Sequence, residues 1–184
     1  MATVVVALHY QNDVVHPDGR LGASRGNPAL VANAGRLLAG ARSAGVPVVS
    51  VRIAFPASGP RANAPIFAAA VGAVVEGTWG AEFLGELAPA DGEPVVTHSR
   101  VNAFYESGLA EALLRLRAER LVVAGVATHS SVEHTARHAT DMGYEVVVAA
   151  DACASADPEL HAAALRVLGP HVACVTTVDE ALGA

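Results

Sequence analysis

The sequence predicts an α/β domain in three layers, a six-stranded, mostly parallel Rossmann-like sheet held between two layers of helices. Six short apolar runs rich in β-branched residues recur along the 184 residues, which is the signature of buried strands. Stretches rich in Ala, Leu and Arg alternate with them and carry apolar residues at helical spacing. The runs are apolar on both faces, so each strand is covered from both sides, as in parallel sheets flanked by helices. The length suits one domain spanning 1–184, and 52% apolar against 16% charged residues gives it a core to build on.

The first strand is read at Thr3 to Leu8. Asn27-Pro28 opens a helix whose buried face is Leu30, Ala34, Leu37, Leu38 and Ala41, and Gly45-Val46-Pro47 closes it. The second strand is read at Val46 to Ile53. From Phe55 to Gly92 the chain is irregular and rich in Pro, Ala and Gly, predicting short helices and loops of the kind that shape binding sites. The third strand is read at Pro94 to Thr97, followed by a helix carrying Leu109, Leu113, Leu114 and Leu116. The remaining strands are read at Leu121 to Ala124, Val146 to Ala150 and Val172 to Thr176, with Gly143 ending the helix before the fifth.

Twelve basic side chains, all Arg, against eighteen acidic ones give a net charge of −6, so no basic field exists to hold a phosphate backbone and nucleic acid is not an expected partner. The absence of lysine removes Schiff-base chemistry. Cys153 and Cys174 sit in apolar runs and read as buried small hydrophobes rather than a disulfide framework. The first apolar run stops at His9 with no positively charged residue before it, and no later run reaches membrane length. A cytoplasmic protein without membrane attachment is expected.

In open α/β sheets ligands bind beyond the carboxyl ends of the strands, near the point where strand order reverses. The first strand ends in Leu8-His9-Tyr10-Gln11-Asn12-Asp13, the third in Thr97-His98-Ser99-Arg100, and the fourth in Gly125-Val126-Ala127-Thr128-His129-Ser130-Ser131. A serine with two histidines at one mouth is a nucleophile–base group, since a hydroxyl needs a neighbouring base to react near neutral pH. The same residues also suit ordinary capping and turn positions.

The pieces just quoted for the first and fourth strands, with Glu76-Gly77-Thr78-Trp79-Gly80-Ala81-Glu82, Leu87-Ala88-Pro89, Arg100-Val101-Asn102-Ala103-Phe104, Gly143-Tyr144-Glu145-Val146 and Asp151-Ala152, resemble the isochorismatase-like (cysteine hydrolase) superfamily in order and spacing. The resemblance implies the fold already read and a hydrolase of small molecules, commonly dimeric or tetrameric. It also implies a non-proline cis peptide, here Val126–Ala127, that helps aim backbone N–H groups at an oxyanion. Three positions depart from the superfamily: its Asp falls on His9, its Lys on His98 and its Cys on Ser131. The metal-binding Asp-x-His of nicotinamidases has no counterpart in Val51-Arg52-Ile53-Ala54-Phe55, so neither metal nor cofactor is expected.

The resulting expectation makes Ser131 the nucleophile at a helix N-terminus, with one of His9 and His98 as base and the other as orienter or acid. The backbone around Val126, Ala127 and Ser131 forms the oxyanion site. Tyr10, Asp13, Phe55, Trp79, Arg100, Phe104, His129 and Ser130 are the expected pocket residues, with Asp13 also suited to holding its loop by hydrogen bonds. His134 and His138 have the i, i+4 spacing of zinc ligands but no third ligand in a zinc motif. Two other readings stay open: a non-covalent acid–base enzyme (isomerase, lyase or cyclase) on the same fold, and a degenerate ligand-binding or oligomeric protein. The expected partners are a small-molecule substrate or ligand and further copies of the chain.

Overall fold

The computed structural model describes residues 1–22, 27–60 and 64–183. In chain order the elements are β1 (Thr3–Leu8), α1 (Asn12–Val15), α2 (Leu30–Ser43), β2 (Val48–Ile53), α3 (Pro65–Ala68), β3 (Val95–His98), α4 (Leu109–Arg115), β4 (Arg120–Val126), α5 (Glu133–Asp141), β5 (Glu145–Ala154), α6 (Pro158–His171), β6 (Cys174–Thr176) and α7 (Val178–Ala181). A π-helical turn, Thr128–Val132, leads into α5. The six strands form one sheet in the order β3-β2-β1-β4-β5-β6, and every pair is parallel.

The two central strands show why the pattern was readable. Val4, Val5, Val6 and Leu8 of β1 and Leu121 to Ala124 of β4 are fully buried, so side chains on both faces contribute, at about 1.5–3 kcal/mol for a fully buried Val or Leu. On α2 the expected stripe of Leu30, Ala34, Leu37, Leu38 and Ala41 is the buried one, and the helix packs on β5, β2 and α7. On α4 the stripe narrows to Leu109 and Leu113, four residues apart, while Leu114 points outward.

Two expectations are corrected. The fifth strand runs on to Ala154, because a register shift between Val123 and Gly125 lets Cys153 and Ala154 pair with Gly125 and Val126. Cys174 opens the short edge strand β6 and is exposed, not buried; only Cys153 lies in the core, where burial pushes its thiol up to about 12. Among the described residues no helix is long and apolar enough to cross a membrane.

The irregular connection from Phe55 to Gly92 is held down by the turn after β1. Gln11, fully buried, donates to the carbonyls of Ile53 (2.9 Å) and Ala81 (2.8 Å) and accepts from the Ile53 N–H (2.8 Å). Asn12 donates to the carbonyl of Trp79 at 2.9 Å. Asp13 accepts the N–H of Val74 at 2.8 Å, fixing a β-branched residue at φ 45°, a conformation such residues avoid. Replacing Gln11 by Ala strands three backbone groups in the interior, and a loss of about 2–4 kcal/mol is expected. Urea denaturation checks it: the midpoint falls with the slope unchanged. A wild-type midpoint means the side chain does not bind the connection.

Candidate active site

The chain order places β1 and β4 side by side at the centre while their successors run to opposite edges. Their carboxyl ends therefore frame the switch point where such sheets bind ligands. Gly125 lets the two strands close there: it has φ 141°, and a Cβ at this position would lie 2.1 Å from the carbonyl oxygen of Leu8. The next peptide bond, Val126–Ala127, is cis. The carbonyl of Ala127 then accepts the N–H groups of Ser130 (3.1 Å) and Val132 (3.2 Å), starting the π-turn that carries His129, Ser130 and Ser131.

On the other side of the switch point His9 follows β1 at φ 58°, a left-handed conformation in which His is enriched. Its ring is buried, with Nδ1 3.0 Å from the carbonyl of Val126 and Nε2 2.7 Å from Nε2 of His98. The two rings stack with centroids 4.9 Å apart. A carbonyl only accepts, so Nδ1 of His9 carries the proton, and its bare Nε2 accepts from the Nε2–H of His98. Nδ1 of His98 is buried and has no hydrogen-bond partner among the described residues. Burial holds His98 down at about 4, an effect the Asn102 backbone partly offsets. Burial first, and then His98 itself, lower His9 well below the usual imidazole value, against a smaller upward pull from the Val126 carbonyl. At neutral pH this is an uncharged pair.

A cavity of about 250 Å³ opens beside the pair, below the ~300–1,000 Å³ of drug-sized ligand pockets. Its polar wall is His9, His129, Ser130 and Ser131, and its apolar wall includes Val14, Phe55, Ile66, Phe67 and Val101. Phe55, His129 and Ser130 thus stand where the sequence reading put them, as does Ser131, whose hydroxyl makes no hydrogen bond among the described residues. Neither His9 nor His98 is bonded to Ser131; the expected nucleophile–base contact is absent because both nitrogens of His9 are already engaged.

The other expected pocket residues lie outside the wall, each for a local reason. Tyr10 is fully buried and donates its hydroxyl to the carbonyl of Ala152 at 2.6 Å. Asp13 is turned to the Val74 N–H. Trp79 is 50% exposed and meets the edge of the His16 ring. Arg100 faces Glu106 at 3.5 Å and the ring of Tyr105. Phe104 stacks on His138 at 4.9 Å. His98 stands behind His9 and reaches the cavity only through it.

His134 donates Nδ1 to the carbonyl of Ser130 at 2.8 Å, while Nδ1 of His138 accepts from Asn102 at 3.1 Å. Among the described residues no group of three or more His, Cys, Asp or Glu is arranged to hold a metal. The sequence reading missed Ile66, Phe67 and Val101, which carry no chemical signal. It also missed Ser155, whose hydroxyl is 2.8 Å from Nδ1 of His129.

Residues 3–180 match the isochorismatase domain. The chain belongs to the isochorismatase family. Within the family it is 32% identical over 156 residues to the isochorismatase family protein YecD of Escherichia coli O157:H7, covering 84% of this chain and 82% of YecD. It is 29% identical to the ureidoacrylate amidohydrolase RutB of Methylobacterium radiotolerans, covering 98% of this chain and 80% of that protein. Among solved structures, the N-carbamoylsarcosine amidase of Thermoplasma acidophilum superposes with a TM-score of 0.81 at 27% identity, over 98% of each chain.

Proposed function

We propose that this isochorismatase-family chain is a hydrolase of small amides or esters in which Ser131 attacks the acyl carbon. The observation that carries the reading is the Ser131 side chain itself: it is 7% exposed, lies in the cavity wall at the switch point, and has no partner among the described residues to hold it back from a substrate. Two of the similar proteins are named for cleaving amide bonds, which supports a carbonyl substrate. The small cavity and its apolar wall favour a compact acyl group. The described residues lining it include no Asp, Glu or Arg, which favours an uncharged one.

In the proposed reaction the hydroxyl oxygen of Ser131 bonds to the carbonyl carbon, and the carbonyl π pair moves onto oxygen. The backbone N–H groups of Ala127 and Ser131, at the positive end of the turn leading into α5, are the donors for that charge. The C–N or C–O bond breaks, and water then frees the acyl group from Ser131. Neutral His9 walls the cavity with His98 behind it, and the pair lends it no charge.

The test is intact-mass analysis after treatment with a small alkyl fluorophosphonate between about pH 6 and 8, where imidazole titrates, on wild type and Ser131→Ala. One adduct per chain, lost in the variant, is the expected result. A folded wild-type protein that takes up no label overturns the reading and leaves ligand binding without a covalent step.

A further inference from the structure

His9 was the natural choice for the base, yet its two nitrogens are bonded to Val126 and His98. The cavity holds a second imidazole. His129, half-buried in the wall, has Nδ1 at 2.8 Å from the Ser155 hydroxyl, and its Nε2 makes no hydrogen bond among the described residues. One nitrogen anchored to a buried partner and the other unengaged in the cavity wall is the arrangement that acid–base catalysis by histidine requires.

We infer that His129, oriented by Ser155, is the acid–base residue of this cavity, serving the Ser131 chemistry proposed above, on which the inference rests. Ser155 follows the extended end of β5 and is fully buried, so the position of its hydroxyl is fixed by the sheet. The Ser155 hydroxyl oxygen accepts from Nδ1–H, which leaves Nε2 of His129 bare to act as a base. Once Nε2 has taken a proton, the imidazolium still donates Nδ1–H to Ser155 and gives the Nε2 proton back as an acid. Ser155 therefore holds the ring in one orientation through both halves of a hydrolytic cycle, and it is a positioning residue, since it lies outside the cavity wall.

Residues two apart on a helical turn do not face each other, so the Ser131 proton reaches Nε2 of His129 by way of one water. As the Ser131 oxygen–carbon bond forms, that proton passes to His129; as the bond to the leaving nitrogen or oxygen breaks, His129 returns it to the departing atom. In the second half His129 takes a proton from the attacking water, the new oxygen–carbon bond forms, the bond to Ser131 breaks, and the proton returns to Ser131. The titratable and polar groups beside His129 are Ser155, just after β5, the preceding Thr128, bonded to His161 of α6 at 2.8 Å, and, in the same cavity wall, His9.

The experiment is the rate of Ser131 labelling by the same fluorophosphonate, in which the serine oxygen–phosphorus bond forms, fluoride leaves, and the serine proton passes through His129 to solvent. His129→Ala is expected to slow labelling about 100-fold or more, and free imidazole is expected to restore much of the rate in His129→Gly, which a merely structural role would not produce. Ser155→Ala is expected to slow labelling about tenfold and to change the tautomer balance of the His129 ring, read from its ¹⁵N shifts. Labelling at the wild-type rate in His129→Ala overturns this inference and leaves Ser131 as nucleophile. A wild-type protein without Ser131-dependent labelling overturns both. An unchanged His129 tautomer in Ser155→Ala removes Ser155 from the scheme.

Discussion

Gly125→Ala is expected to abolish the folded protein or to destabilise it by more than about 4 kcal/mol, beyond the usual range for a single substitution. The added methyl would lie 2.1 Å from the Leu8 carbonyl oxygen and 2.7 Å from the Leu8 Cβ, at a φ of 141° that L side chains rarely adopt. Neither obstacle can swing aside. The carbonyl belongs to β1, which pairs with β4 from Thr3↔Arg120 to Leu8↔Gly125, so relief means parting the central strands of the sheet. Gly108→Ala is the control: nothing lies within 4 Å of the place its new methyl would take and its φ is −88°, so a change of about 0.5–1 kcal/mol at most is expected. Soluble yield and the urea midpoint read both variants. A Gly125→Ala protein with the wild-type midpoint would mean that β1 and β4 do not approach as described.

The second large effect is a loss of stability in mild acid. His9 and His98 are neutral in the folded chain, with His98 held at about 4 and His9 well below its ordinary value of 6.5, while in the unfolded chain both titrate near about 6.5. As pH falls below about 6.5 the unfolded state takes up protons that the folded state refuses, so stability falls. The fall continues until the folded groups themselves titrate, which for His98 is at about 4. Between pH 7 and 5 each group contributes about 1.5 units at ~1.36 kcal/mol per unit, or roughly 2 kcal/mol, and the pair about 4. Urea midpoints at pH 7, 6 and 5 for wild type and for His9→Gln/His98→Gln measure it. The double variant should lose most of the slope; a slope equal to the wild type would show that the pair is not the source.

The strands were legible because burial on both faces writes a run with no polar face, and the exceptions are informative. Cys174 has the same neighbours in sequence as a core residue, but β6 is an edge strand, and no local pattern separates an edge from an interior. The length of β5 depends on the register shift in its pairing with β4, which is a property of two strands and of neither alone. For the site, the rule of strand ends found His9, His129, Ser130 and Ser131. Tyr10 and Arg100, named by the same rule, and Trp79 and Phe104, named from the family resemblance, lie outside the cavity wall, because neither reading fixes the direction of a side chain, which its partners set. The Tyr10 hydroxyl meets Ala152, 142 residues away, and the His129 ring, just past β4, meets Ser155, just past β5. The sequence carries no sign of what Gln11 does, since the three groups it binds come from two other segments.

The separation of the central strands also sets an order of events during synthesis. His9 and the Val126 carbonyl it bonds to are 117 residues apart. At about 5–20 residues per second, roughly 6 to 23 s pass between the emergence of the two from the ribosome. During that interval β1 has β2 to pair with, while its other edge, a row of valines, stands open. The first strand of the sheet to be made is thus completed only when the fourth emerges, after about two thirds of the chain has been translated, and the cavity it walls exists only later still. Nascent chains shorter than that should expose an apolar strand edge to chaperones and to one another, whatever the stability of the finished domain.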